Sequence, residues 1–166
     1  MNLTPQPPLR KARGGDLTNL LTPLPEFGEG QGVGSQRGDI MSDECAEPLP
    51  PEAEEAIRLF NVGEFYKQHD LFETLWRDEP RPIRNLYQGI LQIGVGYFQI
   101  TRGNMRGGVK MIQRGQRWLA LLPDHCRGVD VAALKADAAH VEQEVKRVGI
   151  DQFDKSLFQP VKRVQS

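Results

Sequence analysis

The residues best placed to do chemistry lie in one thirteen-residue run, EFYKQHDLFETLW, Glu64–Trp76. At about 100° per residue in a helix, Phe65, His69, Glu73 and Trp76 share a face, with Phe72 beside them. An imidazole and a carboxylate then project one turn apart from the edge of an apolar face. A buried carboxylate without a partner is expensive, so Glu73 needs one. His69 and, four residues on, Arg77 are the candidates. Such a pair serves either as a structural network that fixes helix register or as a small site. In the site reading His69 and Glu73 are the catalytic acid/base groups or ligands to a divalent metal, and Trp76 walls the pocket. The pair supplies two metal ligands, whereas a typical site takes three or more. His125 and His140 stand at no spacing that would complete it.

A second group is YQGILQ, Tyr87–Gln92. Gln88 and Gln92 are one turn apart, and Gln99 continues their line. This line is either a solvent face or, because it carries no charge, the lining of an internal pocket or a subunit contact. As ligand-binding groups, Gln88 and Gln92 would hydrogen-bond a small polar molecule. Gly89 and Gly96 beside them are unfavourable inside a helix and point to a helix backbone packed close by. The third group is TRGNMRGG, Thr101–Gly108. Asn104 reads as an N-cap, with anion binding at that helix start as the rival use. Arg102, Arg106, Lys110, Arg114 and Arg117 form a basic strip, read as a solvated face or a patch for an acidic partner. The phosphate-loop, G-x-S-x-G, H-E-x-x-H, C-x-x-C and dinucleotide motifs are all missing.

The elements that must position these groups are helices, and no strand alternation of period two stands out. The first is expected to start at Pro50-Pro51-Glu52 and end at Asn61–Gly63, and the second to run from Glu64 to Asp78. In the third, Pro82 to Arg102, Ile83, Leu86, Ile90, Ile93, Tyr97 and Ile100 form a heptad seam, which predicts a central helix. The fourth runs from Met105 to Leu122, with Met105, Val109, Ile112, Leu119 and Leu122 inward. The fifth is capped by Asp130 and closed by Gly149, with Val131, Leu134, Ala138, Val141, Val145 and Val148 inward. Amphipathic helices joined by short loops predict an all-α antiparallel bundle of about five helices over residues 51–150. Residues 151–166 form a tail that packs back in part.

Residues 1–50 read differently. Seven of the twelve prolines and seven of the seventeen glycines lie there, and such composition predicts a disordered extension. Met41 opens a stretch that reads like an ordinary protein start, so residues 1–40 are expected to be an annotation artefact, with a genuine flexible tail as the rival. The 166 residues carry 21 Lys and Arg against 22 Asp and Glu, a net charge of −1. That average argues against a dedicated nucleic-acid binder. Ile83–Ile100 is broken by Arg84, Asn85, Gln88 and Gln92, so no membrane span is expected. With no secretory leader legible, the expected location is the cytoplasm, and Cys45 and Cys126 are expected as reduced thiols.

Taken together, FNVGEFYKQHDLFETLW, YQGILQIGVGYF and RGNMRGGVKMIQRG resemble the family known as domain of unknown function 309, over about Leu59 to Leu122. Its His-Glu-x-x-Glu-x-x-Trp signature falls on His69, Asp70, Glu73 and Trp76, with Asp70 in place of the usual Glu. Its Gln-Gly-x-x-Gln signature falls on Gln88, Gly89 and Gln92. Its Gly-Asn-x-x-Gly signature falls on Gly103, Asn104 and Gly107, with Gly108 where Ala is more usual. The resemblance implies an all-helical fold and places these residues at signature positions, but it carries no activity. Two functions are therefore expected as alternatives. One is a polar pocket on His69/Glu73 and Gln88/Gln92 for a small polar ligand of unknown identity. The other is a non-catalytic module, such as a homodimer, in which the same residues form a structural hydrogen-bond network.

Overall fold

The computed structural model describes residues 43–164. Of the extension expected over residues 1–50, residues 1–42, with the start expected at Met41, lie outside the described residues. The order is α1 (Pro51–Asn61), α2 (Lys67–Asp78), α3 (Arg84–Thr101), α4 (Met105–Leu119), the strands β1 (His125–Cys126) and β2 (Val129–Asp130), and α5 (Val131–Val148). A helical turn over 43–46 precedes them, and two short 3-10 turns, Ile150–Gln152 and Lys155–Leu157, follow. The all-helical expectation holds, with one addition: β1 and β2 pair antiparallel, His125 against Asp130 and Cys126 against Val129. Two residues per strand are too few to show a period in sequence.

Local chemistry sets the helix ends. Pro51 opens α1, where its missing N–H costs nothing. The Asn104 side chain accepts from Gly107 N at 2.9 Å at the start of α4, and Asp130 accepts from Ala133 N at 2.9 Å at the start of α5. α3 is central, buried from Leu86 through Tyr97. Leu86, Ile90 and Tyr97 on its inner side are fully buried, as are Leu134, Val141 and Val145 of α5. Burial drives the Tyr97 phenol well above its ordinary pKa, and the nearby Asp137 adds to it.

α3 and α4 run antiparallel with backbones in close approach. A Cβ on Gly96 would come within 3.0 Å of Gly108 O, and one on Gly115 within 2.9 Å of Gly89 O. That contact explains why glycine interrupts both helices. Met105, expected inward, is 38 % exposed.

A strap formed by residues 43–50 fastens the chain ahead of α1 to the bundle. Cys45 and Cys126 form a disulfide across 81 positions, so the expectation of two free thiols is corrected. Glu44 Oε2 accepts from Ile83 N at 2.8 Å, covering the start of α3. Arg127 is buried and uses its whole guanidinium. Nε donates to Glu44 O at 2.9 Å, Nη1 to Tyr87 Oη at 2.7 Å and Nη2 to Glu47 Oε2 at 2.7 Å. Arg81 joins Glu47 to Glu79 at 2.8 and 2.9 Å, and its hydrogen bonds lower the pKa of both carboxyls. Arg127 and Gly128 form the hairpin turn with φ of 50° and 74°. An arginine there is unusual, and the three bonds of its side chain hold it. At the other terminus, Phe153 and Val161 are buried, and Val129 bridges to Arg163.

Candidate functional site

α2 and α3 also run antiparallel. Phe72 stacks on Tyr87 with centroids 6.1 Å apart, Gln68 Nε2 donates to Leu91 O at 3.2 Å, and Tyr66 meets Phe98 at 5.0 Å. Tyr87, Leu91, Gly94 and Phe98 therefore turn toward α2, whereas Gly89, Ile93, Gly96 and Ile100 turn toward α4. At about 100° per residue, Gln88, Gln92, Val95 and Gln99 form a strip between those flanks. Arg84, one turn before Gln88, lies over the Trp76 ring at 4.7 Å. This contact sets the His69–Glu73–Trp76 edge of α2 along the same strip. On α4, Gln113 and Gln116 donate to Glu142 of α5, which leaves the opposite flank, with buried Met111 and Trp118, toward the strip. The glutamine strip of α3 thus runs along the groove between the α2 and α4 backbones, and buried side chains fill it.

The sequence left the glutamine line open between solvent face and covered surface. It is covered: Gln88 is 2 % and Gln92 1 % exposed. Within one chain this strip therefore offers no open face for a homodimer contact. Asn104 sits at the end of the groove and is already engaged, its Oδ1 by Gly107 N and its Nδ2 donating to Gln99 Oε1 at 3.1 Å.

His69 is 8 % exposed. Its Nε2 lies 3.1 Å from Glu73 Oε2, while Arg77 Nη2 donates to Glu73 Oε1 at 2.6 Å. Glu73 thus meets both candidate partners. His69 Nδ1 comes within 3.2 Å of Asp70 Oδ1, but the angle makes no hydrogen bond, and Nδ1 is buried without a partner. Five more buried atoms on α2 and α3 share that condition: Gln68 Oε1, Trp76 Nε1, Arg84 Nε, Gln92 Oε1 and Tyr97 Oη, the last in the aromatic cluster with Phe60, Phe65 and Phe158, away from the strip. No hydrogen bond joins the His69/Glu73 pair to Gln88 or Gln92 among the described residues. Nor is any group of three or more His, Cys, Asp or Glu side chains there placed to hold a metal ion. An open cleft lies away from this groove, between the end of α1 and the tail, bordered by Phe60, Val62, Phe65 and Phe158.

The three signature segments sit on α2, on α3 and at the start of α4, all within one stretch of the fold. Residues 53–111 match the family model described as a domain of unknown function, DUF309. The DUF309 match starts six residues before the expected Leu59 and stops eleven before Leu122. It contains His69, Glu73, Trp76, Gln88, Gln92 and Asn104, and excludes Cys45, Cys126 and Arg127. An uncharacterized protein of Aquifex aeolicus (strain VF5) is 25 % identical over 83 residues, which are 49 % of this chain and 25 % of that protein. The chain thus spans about a quarter of the length of the curated relative it matches. Neither description states an activity.

The strap is what sequence reasoning missed. Arg127 and Glu44 are 83 positions apart, and neither stands in a motif. No helix among the described residues is long and apolar enough to cross a membrane.

Proposed function

We propose that the groove over α3 takes a small polar ligand. His69 is its proton-exchanging group, Glu73 orients His69, Gln88 and Gln92 hydrogen-bond the ligand, and Trp76 forms the rim. The observation that supports this reading is the set of orphaned polar atoms along the strip: His69 Nδ1, Gln92 Oε1, Trp76 Nε1 and Arg84 Nε. Each such atom costs about 1–3 kcal/mol while it lacks a partner, and a polar ligand would supply partners. Asn104 drops out of the ligand set because its amide is spent on the α4 cap. For a divalent metal, His69 and Glu73 are two donors, and the remaining positions would fall to the ligand or water.

Thermal-shift measurements on the full chain with small carboxylates, small amides and divalent cations test the reading. A compound that stabilises the wild type but neither His69→Ala nor Gln92→Met is the expected result. A compound that stabilises all three equally puts the ligand elsewhere. The compartment is tied to Cys45 and Cys126. A cytoplasmic chain would hold them as thiols, and alkylating the native protein before lysis reads which form it carries.

A further inference from the structure

The chain-wide charge of −1 hides a sharp segregation. Between Pro80 and Pro123 the sequence holds seven Lys and Arg and no Asp or Glu. Arg81 is bound to Glu47 and Glu79, and Arg84 lies over Trp76. The other five, Arg102, Arg106, Lys110, Arg114 and Arg117, form no ion pair among the described residues. Of the twelve other described Lys and Arg, nine pair with a carboxylate. Of the five, all but the half-buried Arg114 are exposed. From Arg106 to Arg117 they follow the outer face of α4 at intervals of three and four residues, a straight row about 17 Å long.

We propose that this row binds the phosphate backbone of duplex nucleic acid without reading its sequence. The inference is independent of the groove. Four of the five cations are arginine, whose planar fork suits phosphate oxygens. An acidic protein fits less well, because protein interfaces centre on an apolar, charge-poor core, and the exposed large hydrophobic side chain here is Met105. A lipid surface fits less well because a membrane-lying helix needs a free apolar face. That of α4, with Met111, Ile112, Trp118 and Leu119, is spent on the bundle. A single strand fits less well because its readers offer bare aromatic rings to the bases. Trp118 is buried, and Arg102 lies over Phe98 at 5.5 Å. The overall charge excludes a protein that is basic throughout, but not a local row.

The test is fluorescence anisotropy of the full chain with a labelled 20-base-pair DNA duplex at 50 and 200 mM salt. About four phosphate contacts predict a loss of affinity of roughly a hundredfold over that range. Arg106→Gln/Lys110→Gln is expected to weaken binding at 50 mM salt by about tenfold and to lower the salt slope by about two. Lys135→Gln/Lys155→Gln, which neutralises two unpaired cations elsewhere, is expected to leave both unchanged. Thermal unfolding confirms that each variant is folded. No binding at 50 mM salt, or a salt slope that the row variant leaves intact, overturns the proposal. So does tighter binding to a 20-base single strand, to an acidic polypeptide or to anionic phospholipid vesicles.

Discussion

Two buried polar clusters flank the α2–α3 pair, and they are finished to different degrees. In the strap, every nitrogen of the Arg127 side chain that could seek a partner finds one within 2.9 Å, on Glu44, Tyr87 and Glu47. In the groove, His69, Trp76, Arg84 and Gln92 each keep a buried polar atom with no partner. A satisfied polar network rigidifies a fold, whereas an unsatisfied one opposes folding. The strap therefore reads as a fastening. The groove reads as a place where the fold tolerates a cost for another reason, as happens at sites kept for function.

The comparison breaks first if the strap turns out not to fasten anything. Closing a loop of 81 positions by Cys45–Cys126 is expected to contribute about 4 kcal/mol. Urea midpoints of the oxidised chain against the same chain reduced, or against Cys126→Ser, read that difference. An unchanged midpoint would mean that the polar ties alone hold the strap. Arg127→Met comes next, at about 3 kcal/mol of lost stability by the same titration. It strands the buried Tyr87 hydroxyl and Glu44 carbonyl, while Glu47, nearly half exposed, turns back to water. A neutral Arg127→Met would make the strap no more of a fastening than the groove.

How much of this was legible follows the distance over which each signal acts. The Asp130 and Asn104 caps and the span of α5 depend on residues within one turn, and the sequence reading matched them. The His69–Glu73–Arg77 chain was legible for the same reason, since one helix carries all three. The glutamine strip was half legible. Its lack of charge marked it, but burial depends on α2 and α4, which helical periodicity does not orient. The strap was not legible. Its composition, rich in proline and acidic residues, reads as unstructured, and the residues that order it arrive some eighty positions later. The row on α4 was legible as a basic strip, but the chain-wide charge sum turned its reading toward a solvated face or an acidic partner, because the acids that cancel it lie on other elements.

The smallest effect separates the two clusters best because its sign differs. Gln92→Met keeps the side chain's length and shape while removing the orphaned Oε1. If the fold tolerates that atom for the sake of a ligand, the substitution relieves a buried unsatisfied acceptor. Stability should then rise by about 1 kcal/mol. The midpoint of thermal unfolding in ligand-free buffer should move up by a few degrees, while Arg127→Met moves it down. A fall in the Gln92→Met midpoint would mean that Gln92 already spends its amide inside the fold. The groove would then be a second fastening like the strap, and His69 and Glu73 a pair that fixes the register of α2.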